Sequence, residues 1–345
     1  MPMIRKPIWH LNGSWKPLLT ASERIRRSSQ TLSILNGNAY IFGGEVEPRK
    51  PVDNHLDVVA LTLSNPQLNT KQTNNAPSPR VGSSSVALKD RIYLFSGRGG
   101  LDMAPIEEGG ALWSYDPSQN SWSLIKPADA GKPYPPARSY HCMADDGNSS
   151  IFVHAGCPAS GRLSDLWKFD LSSQTWTQAP DAPSPERGGT SIAFSNGKLY
   201  RMHGFDGKAE QGGSLDIFDL ATNTWETKTF NADGQDGPEP RSVCVLLPIK
   251  LQKKDKLITL FGERDPSSLG HAGAGKMLSD VWIYDIDEDW WTKIEPSSNE
   301  TSPAPRGWFD AGVVRFQSDE NDQVVVHGGL GENNERLADI WLLSF

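Results

Sequence analysis

The chain has 345 residues, with 34 Lys+Arg against 42 Asp+Glu and a formal net charge of −8. An acidic chain without a basic run excludes a general nucleic-acid binder, and no stretch approaches the roughly 18 apolar residues that a membrane span needs. The scattered cysteines Cys142, Cys157 and Cys244 favour a reducing compartment. The first residues lead into no apolar signal segment, so we expect a cytoplasmic protein that contacts neither nucleic acid nor membrane.

One sequence unit recurs along the chain. It opens with an arginine, continues into an apolar strand that ends in glycine, and then has an Asp-x-Trp-x-Tyr-Asp-like strand followed by another tryptophan. The opening arginines are Arg27, Arg80, Arg138, Arg187, Arg241 and Arg306. A period of roughly 50 residues with four strands matches the kelch repeat of β-propellers, and the chain resembles that family over its whole length.

The predicted elements therefore form an all-β, six-bladed kelch β-propeller in a single domain over residues 1–345. The predicted blades cover residues 20–75, 76–128, 129–181, 182–236, 237–298, and 299–345 plus 1–19. The sixth unit stops at Phe345, after its third strand, and the segment around Trp15 supplies the missing fourth strand. Closing the last blade with an N-terminal strand removes the exposed sheet edges that an open array would have.

The direction of the strands predicts which loops share a face. In an up-and-down blade the start of the first strand and the connection between the second and third strands lie on the same side. The opening arginines and three long connections, residues 45–56, 98–111 and 263–279, should therefore meet at one mouth of the central channel. Arginines there would hold a carboxylate, sulfate or phosphate through forked hydrogen bonds. The alternative is that they join neighbouring blades by donating to loop carbonyls.

The connection of the fifth unit carries a more specific resemblance. Residues 262–275 read Gly-Glu-Arg-Asp-Pro-Ser-Ser-Leu-Gly-His-Ala-Gly-Ala-Gly. This segment resembles the iron-binding loop of plant specifier proteins, kelch propellers that redirect glucosinolate aglycones to nitriles, epithionitriles or thiocyanates. Their loop pattern is Glu-x-x-x-Asp-x-x-x-His. Glu263 and His271 match its two ends, whereas Ser267 stands at the position of the central Asp.

The resemblance implies an Fe(II) cofactor and no other. Glu263 and His271 would be metal ligands, with Asp265 or water completing the shell, since carboxylate and imidazole suit Fe(II). Because Ser267 replaces a charged ligand, we expect weak iron binding or none. The alternative is a solvated loop in which Glu263 pairs with an arginine.

The same resemblance implies roles for residues at the channel mouth. In specifier proteins, arginines at the starts of blades two and three hold the anionic group of the substrate, and a tryptophan of blade six lines the pocket. The matching positions are Arg80, Arg138 and Trp308, which we predict to be catalytic. The wider predicted substrate-binding set adds Arg187, Arg241 and Arg306.

Two functions from different classes follow. The first is a specifier-like enzyme of lyase, isomerase or cyclase type that binds a reactive, anionic small molecule and directs its rearrangement, elimination or cyclisation. Orientation in a pocket can supply much of such catalysis. The second is a non-catalytic kelch propeller that binds a protein partner. A sugar-binding role, like that of a sialic-acid mutarotase, is a third and weaker alternative.

Overall fold

The structure is a computed structural model that describes residues 12–61, 64–297, 301–315 and 320–345. Its long strands form six antiparallel groups of four, which we number blades 1 to 6, and a short parallel pairing of Asn12 and Gly13 with Glu295 and Pro296 joins the last two groups in one eight-stranded sheet. They are Ser28–Leu35, Asn38–Glu47, Leu56–Ala60 and Leu68–Lys71 in blade 1; Ser84–Leu88, Arg91–Phe95, Leu112–Asp116 and Ser121–Ile125 in blade 2; Cys142–Asp145, Ser150–Gly156, Leu163–Asp170 and Thr175–Ala179 in blade 3; Ser191–Ser195, Lys198–Met202, Ser214–Asp219 and Thr224–Thr229 in blade 4; Val245–Leu251, Lys254–Leu260, Val281–Asp285 and Trp290–Pro296 in blade 5; and Asp310–Val314, Gln323–His327, Ile340–Ser344 and Asn12–Leu19 in blade 6.

Short elements occupy the connections. Two-residue strands form at Lys50–Pro51, Arg98–Gly99, Ala104–Pro105, Glu263–Arg264 and Lys276–Met277, and 3-10 turns form at Glu23–Ile25 and Gly270–Ala272. The pair Glu263–Arg264 and Lys276–Met277 is antiparallel, so it ties together the two ends of the fifth connection. The fifth connection is therefore anchored at its base.

The apolar side chains of the strands pack between adjacent blades. Alternation along each strand turns one set of side chains toward each neighbouring blade. Phe95 of blade 2 and Trp176 of blade 3 meet with ring centroids 5.7 Å apart. They belong to a cluster of buried residues that also contains Val153. The core is therefore a series of interfaces between blades, and each blade needs its neighbours to bury its apolar faces.

A closed ring of backbone hydrogen bonds surrounds the channel axis. Two residues after each opening arginine, an amide donates to the carbonyl of the equivalent residue in the preceding blade. The N–O distances are 2.8 Å from Ser29 to Trp308, 2.9 Å from Gly82 to Ser29, 2.7 Å from Tyr140 to Gly82, 2.8 Å from Gly189 to Tyr140, 2.9 Å from Val243 to Gly189, and 3.0 Å from Trp308 to Val243. This ring closes on itself and fixes the start of every first strand at the same level.

The ring requires left-handed backbone at each of its positions. Tyr140 and Trp308 have φ of 53° and 59°, a conformation that bulky residues rarely adopt. Gly82, with φ of 61°, also makes room, because a Cβ there would lie 2.9 Å from the Tyr140 ring. The ring thus holds two large aromatic side chains at the channel mouth.

The N-terminal strand closes blade 6. Asn12–Leu19 pairs antiparallel with Ile340–Ser344, with Trp15 opposite Leu343. Trp15 is buried and stacks on Phe261 of blade 5 with ring centroids 5.7 Å apart. Residues 1–11 of the predicted closing segment lie outside the described residues. The observed pairing puts the start of the chain into the last blade, as the repeat pattern predicts.

Candidate functional site

The opening arginines are buried inside the blades. Each has a relative exposure of 2% or less, and each guanidinium donates to the carbonyl at the end of the second strand of its own blade. The acceptors are Gly43, Ser96, Ala155, His203, Phe261 and Gly328 for Arg27, Arg80, Arg138, Arg187, Arg241 and Arg306. Such bonds to backbone carbonyls match the alternative role for these arginines in holding the blade together.

A carboxylate neutralises most of these arginines. In blade 5, Arg241 Nη1 lies 2.6 Å from Asp280 Oδ1, and the other oxygen of Asp280 accepts the indole N–H of Trp282 at 2.6 Å. Burial alone would raise the pKa of Asp280, but the hydrogen bond and charge of Arg241 lower it below its usual value. The recurring Asp-x-Trp sequence is thereby explained, because one carboxylate satisfies both a buried arginine and a tryptophan.

This pairing places Arg80 and Arg138 differently from our expectation. Arg80 is bound to Glu108, with Nη2 2.9 Å from Oε1, and Arg138 is bound to Asp165, with Nη1 2.6 Å from Oδ1. Both guanidinium groups are buried and already satisfied, so they do not line the cavities at the mouth. Arg241 and Arg306 are paired with Asp280 and Asp339 in the same way, and contact of these four arginines with a ligand stays a prediction.

Blade 4 is the exception among the arginine pairs. Arg187 has no carboxylate within ion-pair distance in the described part of the chain, and Asp216 pairs instead with Arg201 of the same blade at 2.7 Å. Burial, together with the charge of Arg201, lowers the pKa of Arg187 to about 10. Arg187 is as buried as the others, so it too lies away from the cavities.

Two adjoining cavities lie on the face formed by the long connections. The first, about 240 Å³, is lined by aromatic and acidic groups and is called the aromatic cavity; its defining side chains are Tyr140, Phe205, Glu210, Glu263, His271 and Trp308. The second, about 230 Å³, is called the basic cavity and is defined by Glu45, Arg49, Arg98 and Arg162. The two share Tyr140, Cys157, Arg162 and His271. Together they form one cleft at the channel mouth.

Three rings divide the cleft. His271 stacks on Tyr140 with centroids 5.7 Å apart and planes 18° apart, and it meets Trp308 edge-on at 5.3 Å. Tyr140 and Trp308 also meet edge-on, at 5.2 Å. The hydrogen-bond ring supplies Tyr140 and Trp308, and the fifth connection brings His271 over them. The structure therefore assembles Trp308, Glu263 and His271 at one cavity.

The basic cavity contains arginines that no carboxylate neutralises. Arg98 donates to Ser139 Oγ at 3.1 Å, to the Met103 carbonyl at 3.1 Å and to the Pro158 carbonyl at 3.4 Å, which are all neutral acceptors. Arg162 lies over the Phe205 ring at 5.0 Å, and its Nε has no hydrogen-bond partner. Within the described residues neither arginine forms an ion pair. Half-buried guanidinium groups of this kind are suited to an incoming anion.

The residues of the predicted metal loop do not form a metal site in this arrangement. Glu263 accepts the indole N–H of Trp308 and the Gly275 N–H, the latter at 2.7 Å. Asp265 is exposed and pairs with Arg264 at 3.2 Å, while Ser267 Oγ accepts the Leu269 N–H at 3.1 Å. Among the described residues, no group of three or more His, Cys, Asp or Glu side chains is placed to hold a metal ion. The donor set does not fit Fe(II), so no step below uses it.

Burial and local charge shift the titration of the cleft residues. Burial raises the pKa of Glu263, although the hydrogen bonds from Trp308 and Gly275 reduce the effect. Burial also raises the pKa of Glu210, and the charges of Glu263 and Asp265 raise it further. Burial lowers the pKa of His271, as do the positive charges of Arg49, Arg98 and Arg162. The imidazole is therefore neutral at physiological pH.

The sequence pattern did not identify Arg98, Arg162, Phe205 or Glu210 as site residues. Each lies in a connection between a second and a third strand, where the type of residue does not repeat from blade to blade. Their position in the chain indicated a role, because the long connections were predicted to share a face. Arg98 is the first residue of one of the three long connections. A search for basic residues in those connections would have found Arg98.

A ring of four-stranded blades with a cleft at one mouth of its channel defines the molecule as a β-propeller of the kelch type. The chain belongs to the kelch-repeat family: the family model described as the KLHDC2/KLHL20/DRC7 Kelch-repeats domain matches residues 29–262. The predicted all-β kelch propeller class is thereby confirmed.

Individual relatives show how far the similarity extends. The chain is 26% identical to N-(sulfonatooxy)prop-2-enimidothioate sulfolyase of Thlaspi arvense over 361 aligned residues, which cover 97% of each protein. It is 23% identical to the leucine-zipper-like transcriptional regulator 1 homolog of Drosophila melanogaster, covering 96% of this chain and 32% of that protein. A solved structure described as "Structure of YjhT" superposes with a TM-score of 0.68 at 15% identity, over 94% of this chain and 96% of the other. The last comparison supports the fold alone.

In the described part of the chain, no helix is long and apolar enough to cross a membrane.

Proposed function

We propose that the chain is a specifier-like enzyme that holds a reactive organic anion in the cleft and directs its elimination or rearrangement. The observation that carries this proposal is the pair Arg98 and Arg162, two half-buried guanidinium groups with no carboxylate partner. They lie beside aromatic walls that would hold the organic part of the same ligand. Charge at one end of the cleft and aromatic surface at the other suit an anion with an apolar substituent.

The similarity to the Thlaspi arvense protein indicates the chemical class. The name of that relative specifies a sulfonatooxy group on the nitrogen of an imidothioate and a sulfolyase reaction. When such an anion decomposes, its N–O bond breaks and sulfate leaves with the bonding electron pair, while a substituent migrates with its own bonding pair from the imidothioate carbon to the nitrogen and a lone pair of the sulfur closes a C=S bond. Guanidinium groups beside the sulfate would stabilise the charge that accumulates on the leaving oxygen. We propose that Arg98 and Arg162 do this here.

The remaining residues of the cleft would orient the substrate. Trp308 is held by Glu263 through its indole N–H and by the backbone ring through its amide. A fixed aromatic wall restricts the conformations of a bound imidothioate, and restriction of this kind can lower a rearrangement barrier substantially. Arg138 acts indirectly, because its carbonyl accepts the Gly97 N–H at 2.9 Å and so positions the residue before Arg98.

We place this activity in the cytoplasm as part of the proposal. Cys142, Cys157 and Cys244 are all free thiols. Burial raises the pKa of each thiol, which lowers its thiolate fraction and therefore its reactivity. Free thiols are typical of reducing compartments.

The test is turnover of an N-(sulfonatooxy)imidothioate, measured as sulfate release and as the distribution of organic products against a protein-free control. We expect Arg98→Gln and Arg162→Gln each to lower kcat/KM by about 10- to 100-fold, the range for one charge-assisted hydrogen bond. Arg91→Gln, which breaks a surface pair with Asp116, is the control and should change little. A product distribution identical to the protein-free control would exclude the proposal.

A second function is favoured by a different observation. The exposed large apolar side chains of the described residues are Val46, Leu101 and Leu269, and all three lie on long connections of the cleft face. Exposed apolar groups on one face are typical of protein interaction sites. If the face binds a protein, Leu101→Asp together with Leu269→Asp should abolish the interaction, whereas the same variants would leave turnover in the cleft unchanged.

A further inference from the structure

The aromatic cavity contains two carboxyl groups that no basic side chain neutralises. Glu210 lies in the connection between Lys198–Met202 and Ser214–Asp219, where its backbone pairs with Phe205 and turns its side chain to the cavity. Glu263 has a relative exposure of 4%. In the part of the chain that the structure describes, no Lys, Arg or His nitrogen lies within 4.0 Å of either carboxylate.

Glu263 is buried and Glu210 is half-buried, and a charge without a partner in such surroundings is costly. The raised pKa values of Glu210 and Glu263 agree with that cost, since burial is the leading cause of both shifts. The two hydrogen bonds to Glu263 come from neutral N–H groups and leave its charge in place. Arg162 is the basic residue that lines the same cavity, and its guanidinium stacks on Phe205. A cationic group of a ligand would supply the missing positive charge.

The walls of the cavity favour the same kind of group. Tyr140 and Trp308 line the cavity, and the Phe205 ring already holds the guanidinium of Arg162. Aromatic faces attract alkylammonium groups, most strongly where water is excluded. Carboxylates next to aromatic rings therefore form a receptor for an ammonium ion, while the adjoining basic cavity is a receptor for an anion.

We propose that the cleft selects ligands with two charged ends: an anionic head in the basic cavity at Arg98 and Arg162, and an alkylammonium group in the aromatic cavity at Glu210. The anionic end rests on the proposed function, whereas the ammonium end goes beyond it. The two cavities adjoin at Tyr140 and His271, so a flexible chain of several carbon atoms can connect the two ends.

The experiment compares two sulfonates by isothermal titration calorimetry in buffer free of sulfate and phosphate. The probes are aminohexanesulfonate and heptanesulfonate, which has a methyl group in place of the ammonium. We expect the amino probe to bind at least about tenfold more tightly. Glu210→Gln should remove most of that preference and leave the affinity for heptanesulfonate unchanged. Glu332→Gln removes the same charge from an exposed position on the sixth connection and is the matched control.

The outcomes separate this inference from the proposed function. Equal binding of both probes, or a preference that survives Glu210→Gln, would overturn the ammonium site while leaving the anion site intact. If neither probe binds, the anion site fails as well. Arg98→Gln should weaken both probes, which distinguishes a lost anion site from a lost ammonium site.

Discussion

The arginines of this propeller fall into two sets that differ in what neutralises them. Arg241, like most opening arginines, is fully buried and bound to a carboxylate that also accepts a tryptophan N–H. Arg98 and Arg162 are only half-buried, and the partners of their hydrogen bonds and ring contact are neutral carbonyls, a hydroxyl and an aromatic ring. The first set is satisfied by the protein itself. The second keeps its charge available, and that availability distinguishes a ligand site from a structural motif.

The carboxyl groups differ in the same way. Asp280 and Glu263 lie at opposite ends of the fifth connection. Arg241 lowers the pKa of Asp280, whereas burial raises the pKa of Glu263. A carboxyl-to-amide substitution should therefore affect stability differently at the two positions: at Asp280 it removes the counter-charge of a buried arginine, and at Glu263 it removes an unpaired carboxyl group.

The largest effect is expected from Asp280→Asn. The substitution leaves the buried Arg241 without its counter-charge, and breaking such a pair typically costs about 3 kcal/mol or more of unfolding free energy. Because the pKa of Asp280 is lowered in the folded state, this contribution is present above pH 4 and is lost as pH falls through the lowered value. Urea unfolding at pH 7 measures it, and a loss below about 1 kcal/mol would show that the pair is not structural.

A gain of about 1 kcal/mol is expected from Ser214→Asp. Ser214 occupies the position in blade 4 that corresponds to Asp165 in blade 3, since each lies four residues before a phenylalanine, Phe169 or Phe218, that pairs with the tryptophan of the fourth strand. The new carboxylate would neutralise Arg187, whose pKa is lowered to about 10 by burial and by Arg201. Thermal unfolding should show a higher Tm, and the pKa of Arg187 should rise. A destabilised variant would contradict the equivalence of the blades.

Glu263→Gln tests the unpaired carboxyl through its pH dependence. Between the pKa of glutamate in the unfolded chain and the raised pKa in the folded protein, folded Glu263 retains its proton and the unfolded chain has lost it. The free energy of unfolding of the wild-type protein should therefore fall as pH rises from about 4.5 through the raised value. The Gln variant lacks this contribution. The free energy of unfolding of the wild-type protein minus that of the Gln variant should therefore fall over that interval. A difference that rises with pH would mean that a positive charge neutralises Glu263 in the folded protein.

The smallest effect on stability is expected from Arg98→Gln. Its hydrogen bonds are to neutral acceptors and it is only half-buried, so the free energy of unfolding should fall by less than about 1 kcal/mol. Its effect on ligand affinity should be far larger, as described above. A loss of stability as large as that of Asp280→Asn would place Arg98 with the structural arginines.

The repeat pattern was sufficient to predict the class of fold because the blades share most of their requirements. Most have an arginine paired with a carboxylate, an apolar strand and a tryptophan against the neighbouring blade, and these residues recur with the period of the chain. The N-terminal strand around Trp15 was predictable for the same reason, since one copy of the unit lacked its last strand. The shared face of the long connections followed from strand direction.

The sequence by itself therefore determined what is periodic in this protein, and only the tertiary structure decided what occurs once. We predicted ligand binding by Arg80 and Arg138 from the resemblance and from their place at the mouth, whereas the structure pairs them with Glu108 and Asp165. Arg98, Arg162 and Glu210 come together from three different blades, and no spacing in the chain records that they meet. Whether a charge is paired depends on distances between such segments, and folding sets those distances.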